Sequence, residues 1–151
     1  MQLNDLYKDI ILDHYQSPHN RGRPPQADIE AEGSNPLCGD EVEIYVLLDG
    51  ERLQEVRFDG VGCAISLAAA SMMSEVLEGK SKEEVGNIGE LFKAMMHGED
   101  VILPEEMEDL ESLKGVAKFP LRVKCALLPW TTLEHGLANE DAGHRVSIEV
   151  D

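Results

Sequence analysis

The chain is poor in cysteine, in aromatic residues and above all in positive charge. Its 151 residues hold three cysteines, one tryptophan, and 13 Lys and Arg against 30 Asp and Glu. A formal net charge of -17 repels phosphates, which argues against nucleic acid and an anionic membrane as partners. It suits docking onto a basic patch of another protein. No apolar run approaches the ~20 residues that a membrane span needs. The start, Met1-Gln2-Leu3-Asn4-Asp5, lacks a basic stretch followed by an apolar core, so no secretory signal is expected and the expected compartment is the reducing cytoplasm. Thiols there serve as ligands or nucleophiles rather than as disulfides. The cysteine spacings do not match a pair of CxxC knuckles. What the chain does have is an apolar share of 42% and length enough for a real core, which predicts one globular domain over residues 1–151.

The three cysteines are Cys38, Cys63 and Cys125. The first lies in Asn35-Pro36-Leu37-Cys38-Gly39-Asp40, where a thiol and a carboxylate flank a glycine. Gly39, without a Cβ, lets the turn aim both side chains inward. We read Cys38, Asp40, Cys63 and Cys125 as one four-ligand metal site. Thiolates are soft donors that favour zinc or iron–sulfur clusters, and four such groups suit a tetrahedral centre. The competing reading is three ordinary buried cysteines acting as small apolar residues. Three thiolates and a carboxylate on one zinc leave negative charge, which Arg122 and Lys124, flanking Cys125, would offset. Asp40 is a harder donor than a fourth cysteine, and a mixed site more readily opens one position. Cys38, in a loop, is the thiolate freest to leave and act as a nucleophile on a sulfur–sulfur bond.

The rest of the chain frames that site. Leu3, Leu6, Tyr7, Ile10, Ile11 and His14 share one face of a helix over 4–15. His14 and His19 are read as a core-edge and a loop histidine rather than ligands. Prolines 18, 24 and 25 make an extended loop carrying Arg21 and Arg23. Strands are expected at 27–34, 41–48 and 52–59, with Asp49-Gly50 as the hairpin turn. They predict an α+β fold: a three-stranded antiparallel sheet, solvated on one side, with helices packed on one face. A small-residue helix follows from Ala64 to Glu78. Its start beside Cys63 favours the thiolate through the helix dipole. Met72 and Met73 are read as core filler. Ser81-Lys82-Glu83-Glu84 is a capping box opening a helix to His97, which complements that helix's C-terminus. The acidic stretch 99–115 is read as the solvated face of a short helix starting near Pro104. A last helix spans 119–138, with a kink expected at Pro129. Residues 139–151 are read as a mobile acidic tail, with an edge strand from Val146, Ile148 and Val150 as the alternative.

Asn-Pro-Leu-Cys-Gly-Asp at 35–40, Gly-Cys-Ala-Ile-Ser at 62–66, the early Leu6-Tyr7 and Asp13-His14-Tyr15, and a final Cys125 resemble the IscU-like, or NifU N-terminal, family of iron–sulfur cluster assembly proteins. Gly115 to Cys125, Lys124 before the last cysteine, and an extra helical insertion at about 92–115 resemble its SufU branch. That resemblance implies a zinc-dependent sulfurtransferase working with a PLP-dependent cysteine desulfurase of the SufS type. A desulfurase histidine would take over one zinc position and release Cys38. Cys38 would accept persulfide sulfur, Asp40 would help release it, Arg122 would stabilise the thiolate, and Cys38, Asp40, Cys63 and Cys125 would hold Zn2+. The sulfur would pass to the downstream iron–sulfur assembly complex. The alternative the family allows is a scaffold carrying an iron–sulfur cluster on the same four residues. A third reading is a structural zinc module that only binds a partner.

Overall fold

The computed structural model describes residues 5–150, with side chains from Lys8 onward. Leu3 and the side chains of Leu6 and Tyr7, part of the face expected of the first helix, lie outside the described residues. Helix α1 (Asp5–Gln16) buries Ile11 and His14 and leaves Leu12 and Tyr15 exposed. An extended loop leads to β1 (Ile29–Asn35), β2 (Asp40–Asp49) and β3 (Arg52–Val61). The three are antiparallel neighbours, with Ala31 opposite Ile44 and Ile44 opposite Phe58. Their alternating apolar residues, Ile29, Ala31, Val42, Ile44, Val46, Val56 and Phe58, are buried, as a one-faced sheet requires. The hairpin turn is Gly50-Glu51, between the paired Asp49 and Arg52.

The sheet has four strands, not three, and it is mixed. Strand β4 (Val146–Glu149) runs parallel to β1, giving the order β3-β2-β1-β4. The expectation of an antiparallel three-stranded sheet with a mobile tail is therefore wrong. Without β4, the outer edge of β1 would present a row of unpaired backbone groups. The alternation of Val146, Ile148 and Val150 suits that edge, and the Val150 N–H donates to the Ser34 carbonyl at 2.8 Å. Arg145 fixes the approach by donating to Glu30 and Glu32, each at 3.3 Å. Arg23 and Arg145 also sit over the buried Tyr45 ring, 5.5 and 5.8 Å from its centroid.

Helix α2 (Ala64–Leu77) packs against β3, and α5 (Pro120–Ala138) against β1, β2 and α2. Almost all of α2 is buried, and the run Ala68, Ala69 and Ala70 admits its neighbours closely. Met72 and Met73 are core residues, as expected. Helix α3 (Lys82–Met96) opens on the capping box, with both the Ser81 and the Glu84 halves formed, and ends at His97. The acidic stretch folds into a 3₁₀ turn (Glu105–Met107), α4 (Glu108–Glu111) and a second 3₁₀ turn (Lys114–Lys118). It is more than a solvated face, because Met107, Leu110, Leu113 and Val116 enter the core. Helix α5 begins with Pro120 in its first turn and runs through Pro129, so no new helix begins there. Proline has no N–H to give the Cys125 carbonyl, and the surrounding burial of Leu128, Trp130 and Leu133 holds the helix across that lost bond.

Candidate metal centre

The site forms where the β1–β2 turn, the start of α2 and the first turns of α5 meet. Asn35 ends β1 and shapes the turn. Its carbonyl accepts from the Cys38 and Gly39 N–H groups at 3.2 and 2.9 Å, and its Oδ1 accepts from the Leu37 N–H at 3.2 Å. Gly39 has φ +73°, a conformation that costs glycine little. The turn leaves Cys38 exposed at its tip and returns the chain at Asp40, which is only 1% exposed.

Asp40 is held from one side. Its Oδ1 accepts the Cys63 N–H at 2.9 Å, leaving Oδ2 facing the Cys63 Sγ at 4.0 Å. Gly62 makes room for this: a Cβ there would lie 2.7 Å from Asp40 Oδ1 and 2.6 Å from Ser66 Oγ. Cys63 is the N-cap of α2, and its Sγ accepts from the Ser66 N–H at 3.4 Å. The sulfur thus takes the capping place usually held by oxygen. Cys125, in the second turn of α5, is fully buried and its Sγ lies 3.6 Å from that of Cys38.

One ligand atom each from Cys38, Asp40 and Cys125 lie within 4.8 Å of one another. Cys63 is outside that mutual set and joins it through Asp40. The structure therefore gathers three of the four expected ligands tightly and sets the fourth at their border. Two zinc–sulfur bonds of about 2.3 Å at the tetrahedral angle put their sulfurs about 3.8 Å apart, close to the 3.6 Å between Cys38 and Cys125. Among the described residues no salt bridge reaches the buried Asp40 carboxylate. A buried carboxylate beside soft sulfur donors fits a divalent cation in both charge and donor type.

The electrostatics point the same way. Burial pushes the Cys125 thiol well up, and the hydrogen bond with Asp40 and the charge of Cys63 add to it. Without a cation this thiol stays protonated. The Arg122 guanidinium is held above its ordinary range, chiefly by charge on Cys63, with burial opposing and Cys125 adding. Arg122 therefore stands beside the sulfurs. Lys124 lines an open pocket with Met96, His97 and Leu127. Sequence reasoning did not single out Gly62, Ser66 or the individual role of Asn35. An asparagine before proline signals a turn, but the approach of Asp40 to Gly62 joins distant segments and left no local trace.

The profile of the NifU-like N terminal domain family matches residues 6–126. The chain is 40% identical over 142 residues to the zinc-dependent sulfurtransferase SufU of Bacillus subtilis, covering 94% of this chain and 96% of that protein. It is 39% identical over 138 residues to the iron-sulfur cluster assembly scaffold protein IscU of Streptococcus pyogenes, covering 90% of this chain and 85% of that one. Among solved structures, a cluster assembly scaffold protein of the SUF system from Fervidobacterium islandicum superposes with TM-score 0.77 at 37% identity, over 85% of this chain and 94% of the other. The N-terminal part of a NifU-like protein from Brucella abortus superposes with TM-score 0.83, over 93% of this chain and 97% of the other; at 18% identity it speaks for the fold alone.

Proposed function

The chain belongs to the NifU-like N-terminal domain family, and from that membership we propose that it is a zinc-dependent sulfurtransferase of iron–sulfur cluster assembly. The observation that carries the reading is the gradient of exposure across one ligand group. Cys125 is buried, Cys63 is intermediate and Cys38 is exposed, with Cys38 only 3.6 Å from Cys125. Two sulfurs are placed to stay and one to reach out.

In this reading Cys38, Asp40, Cys63 and Cys125 hold Zn2+. The ion, when bound, keeps the thiols deprotonated and screens their mutual repulsion. The chain's own residues do the rest. Cys125 and Cys63, fixed on helices, hold the geometry. Asp40, tied by Oδ1 to the Cys63 N–H, supplies a hard and exchangeable donor. The Cys38 thiolate attacks the outer sulfur of a persulfide on the partner, a PLP-dependent cysteine desulfurase. A new S–S bond forms on Cys38, the S–S bond on the partner breaks, and the partner's cysteine leaves as its thiolate. Arg122 offsets negative charge among the sulfurs while Cys38 is free. Leu37, Val61 and Leu121 are exposed close in sequence to the three cysteines, and such an apolar rim suits the seating of a partner. The bound sulfur then goes to the cluster-assembly machinery.

The test is incubation of the zinc-loaded protein with a desulfurase and cysteine, followed by mass analysis. The expected product carries one added sulfur on Cys38. Cys38→Ala is expected to lose sulfur acceptance while retaining some zinc, and full stimulation of the desulfurase by that variant would overturn the reading. The second reading, a scaffold for a [2Fe–2S] cluster, is favoured by the donor set itself, since three thiolates and a carboxylate suit iron as well. Metal content and colour separate the two: colourless with about one zinc, or brown with iron and sulfide.

A further inference from the structure

A second group of metal-binding side chains lies on the far part of α2, away from the cysteines. One ligand atom each from His14 on α1, Glu75 on α2 and Asp109 on α4 lie within 4.8 Å of one another. From Cys63 to Glu75 the helix rises about 18 Å at ~1.5 Å per residue, so this group is separate from the thiols. We infer that His14, Glu75 and Asp109 form a second divalent-metal site, of nitrogen and oxygen donors, that pins the inserted segment 105–111 against α1 and α2.

Three features support it. First, the donors converge from three elements distant in sequence. His14 Nε2 is 2.8 Å from Asp109 Oδ2, close to the ~3.0 Å between adjacent ligands of an octahedral ion with bonds of about 2.1 Å. Second, the histidine is oriented from behind. Its other ring nitrogen, Nδ1, lies 2.7 Å from Ser71 Oγ, and that oxygen also accepts the His19 N–H at 2.8 Å. A metal-bound imidazole is held through its second nitrogen in this way. Third, the carboxylates are reachable. Asp109 and Glu75 are 40% and 44% exposed while His14 is 4% exposed. An ion can enter from solvent and find one fixed donor and two adjustable ones. His19 Nδ1, 2.8 Å from Glu75 Oε2, steadies Glu75.

An ion bound at His14 Nε2 takes the place of any proton shared between that nitrogen and Asp109 Oδ2, and the proton leaves to solvent while Nδ1 faces Ser71 Oγ. Imidazole with carboxylates suits Zn2+ or Fe2+ and not the thiophilic preference of the first site.

The inference does not depend on the sulfur-transfer reading, and the experiment counts metal rather than sulfur. The metal-free full-length chain is titrated anaerobically with Co2+, followed by visible absorption and equilibrium dialysis. Two equivalents are expected. One brings thiolate-to-cobalt charge-transfer bands, and the other only weak d–d bands. Glu75→Gln and Asp109→Asn should each weaken the d–d equivalent at least tenfold and leave the charge-transfer bands unchanged. His14→Gln should abolish it, but because His14 is in the core the two carboxylate variants decide. A single equivalent in the parent protein, or a second one indifferent to both carboxylate variants, overturns the inference.

Discussion

Gly62 is where one added carbon should disturb the metal centre most. An alanine Cβ there would press on Asp40 Oδ1 and Ser66 Oγ, at 2.7 and 2.6 Å. Gly62→Ala is expected to cost about 1–3 kcal/mol of stability by overpacking and to weaken zinc roughly 10- to 100-fold by displacing Asp40. Denaturant melts and competition with a chelator measure the two effects. At Cys125 the prediction concerns pH. Burial, then Asp40 and Cys63, raise this thiol in the metal-free fold. A raised folded value stabilises the fold fully below the ordinary thiol range near ~8.5, and that contribution is lost as pH climbs beyond it. The Tm of metal-free protein should therefore fall between about pH 8 and 10, and Cys125→Ser should flatten the decline. That Cys38 and Asp40 would come together with Cys125 was legible in the sequence, because the Cys-Gly-Asp turn sets a thiol and a carboxylate two residues apart and the chain has few other thiols to join them. That Cys63 would stand at the border of the group was not, since it depends on how α2 and α5 seat on the sheet.

Among the elements, the inserted segment departs most from its composition. Its acidic residues announce solvent, yet Leu110 is fully buried and Ile102 is 93% exposed. Leu110→Ala should cost about 2–5 kcal/mol, and Ile102→Ala less than about 0.5 kcal/mol, both read from urea midpoints. Periodicity failed here because the elements are single turns, too short to show a repeat. Where elements were long the signals agreed with the structure. Ser81 and Glu84 mark the start of α3, Pro120 opens α5, and alternation from Val42 to Val46 defines β2. The lone proline inside α5 does not restart the helix, which runs from Pro120 to Ala138, and it leaves the Cys125 carbonyl without a partner N–H at position 129. Buried Leu128, Trp130 and Leu133 on both sides of Pro129 hold the helix together there.

For the whole molecule the decisive misreading was β4. Its partner β1 lies more than a hundred residues earlier, and no local pattern reports a pairing at that separation. Removing residues 143–151 should leave zinc binding intact but bare the edge of β1, so the shortened protein should self-associate at high concentration; sedimentation measures it, and a monomer indistinguishable from the parent would count against a protective role for β4. No helix among the described residues is long and apolar enough to cross a membrane. The placement of Cys38 has a further consequence. A sulfane sulfur added there stands about 2 Å beyond the original atom, out on an already exposed turn. That exposure leaves such cargo open to small cellular reductants, so its lifetime would be set by the speed of hand-over, and a pool of charged carrier should drain in glutathione as soon as delivery stalls.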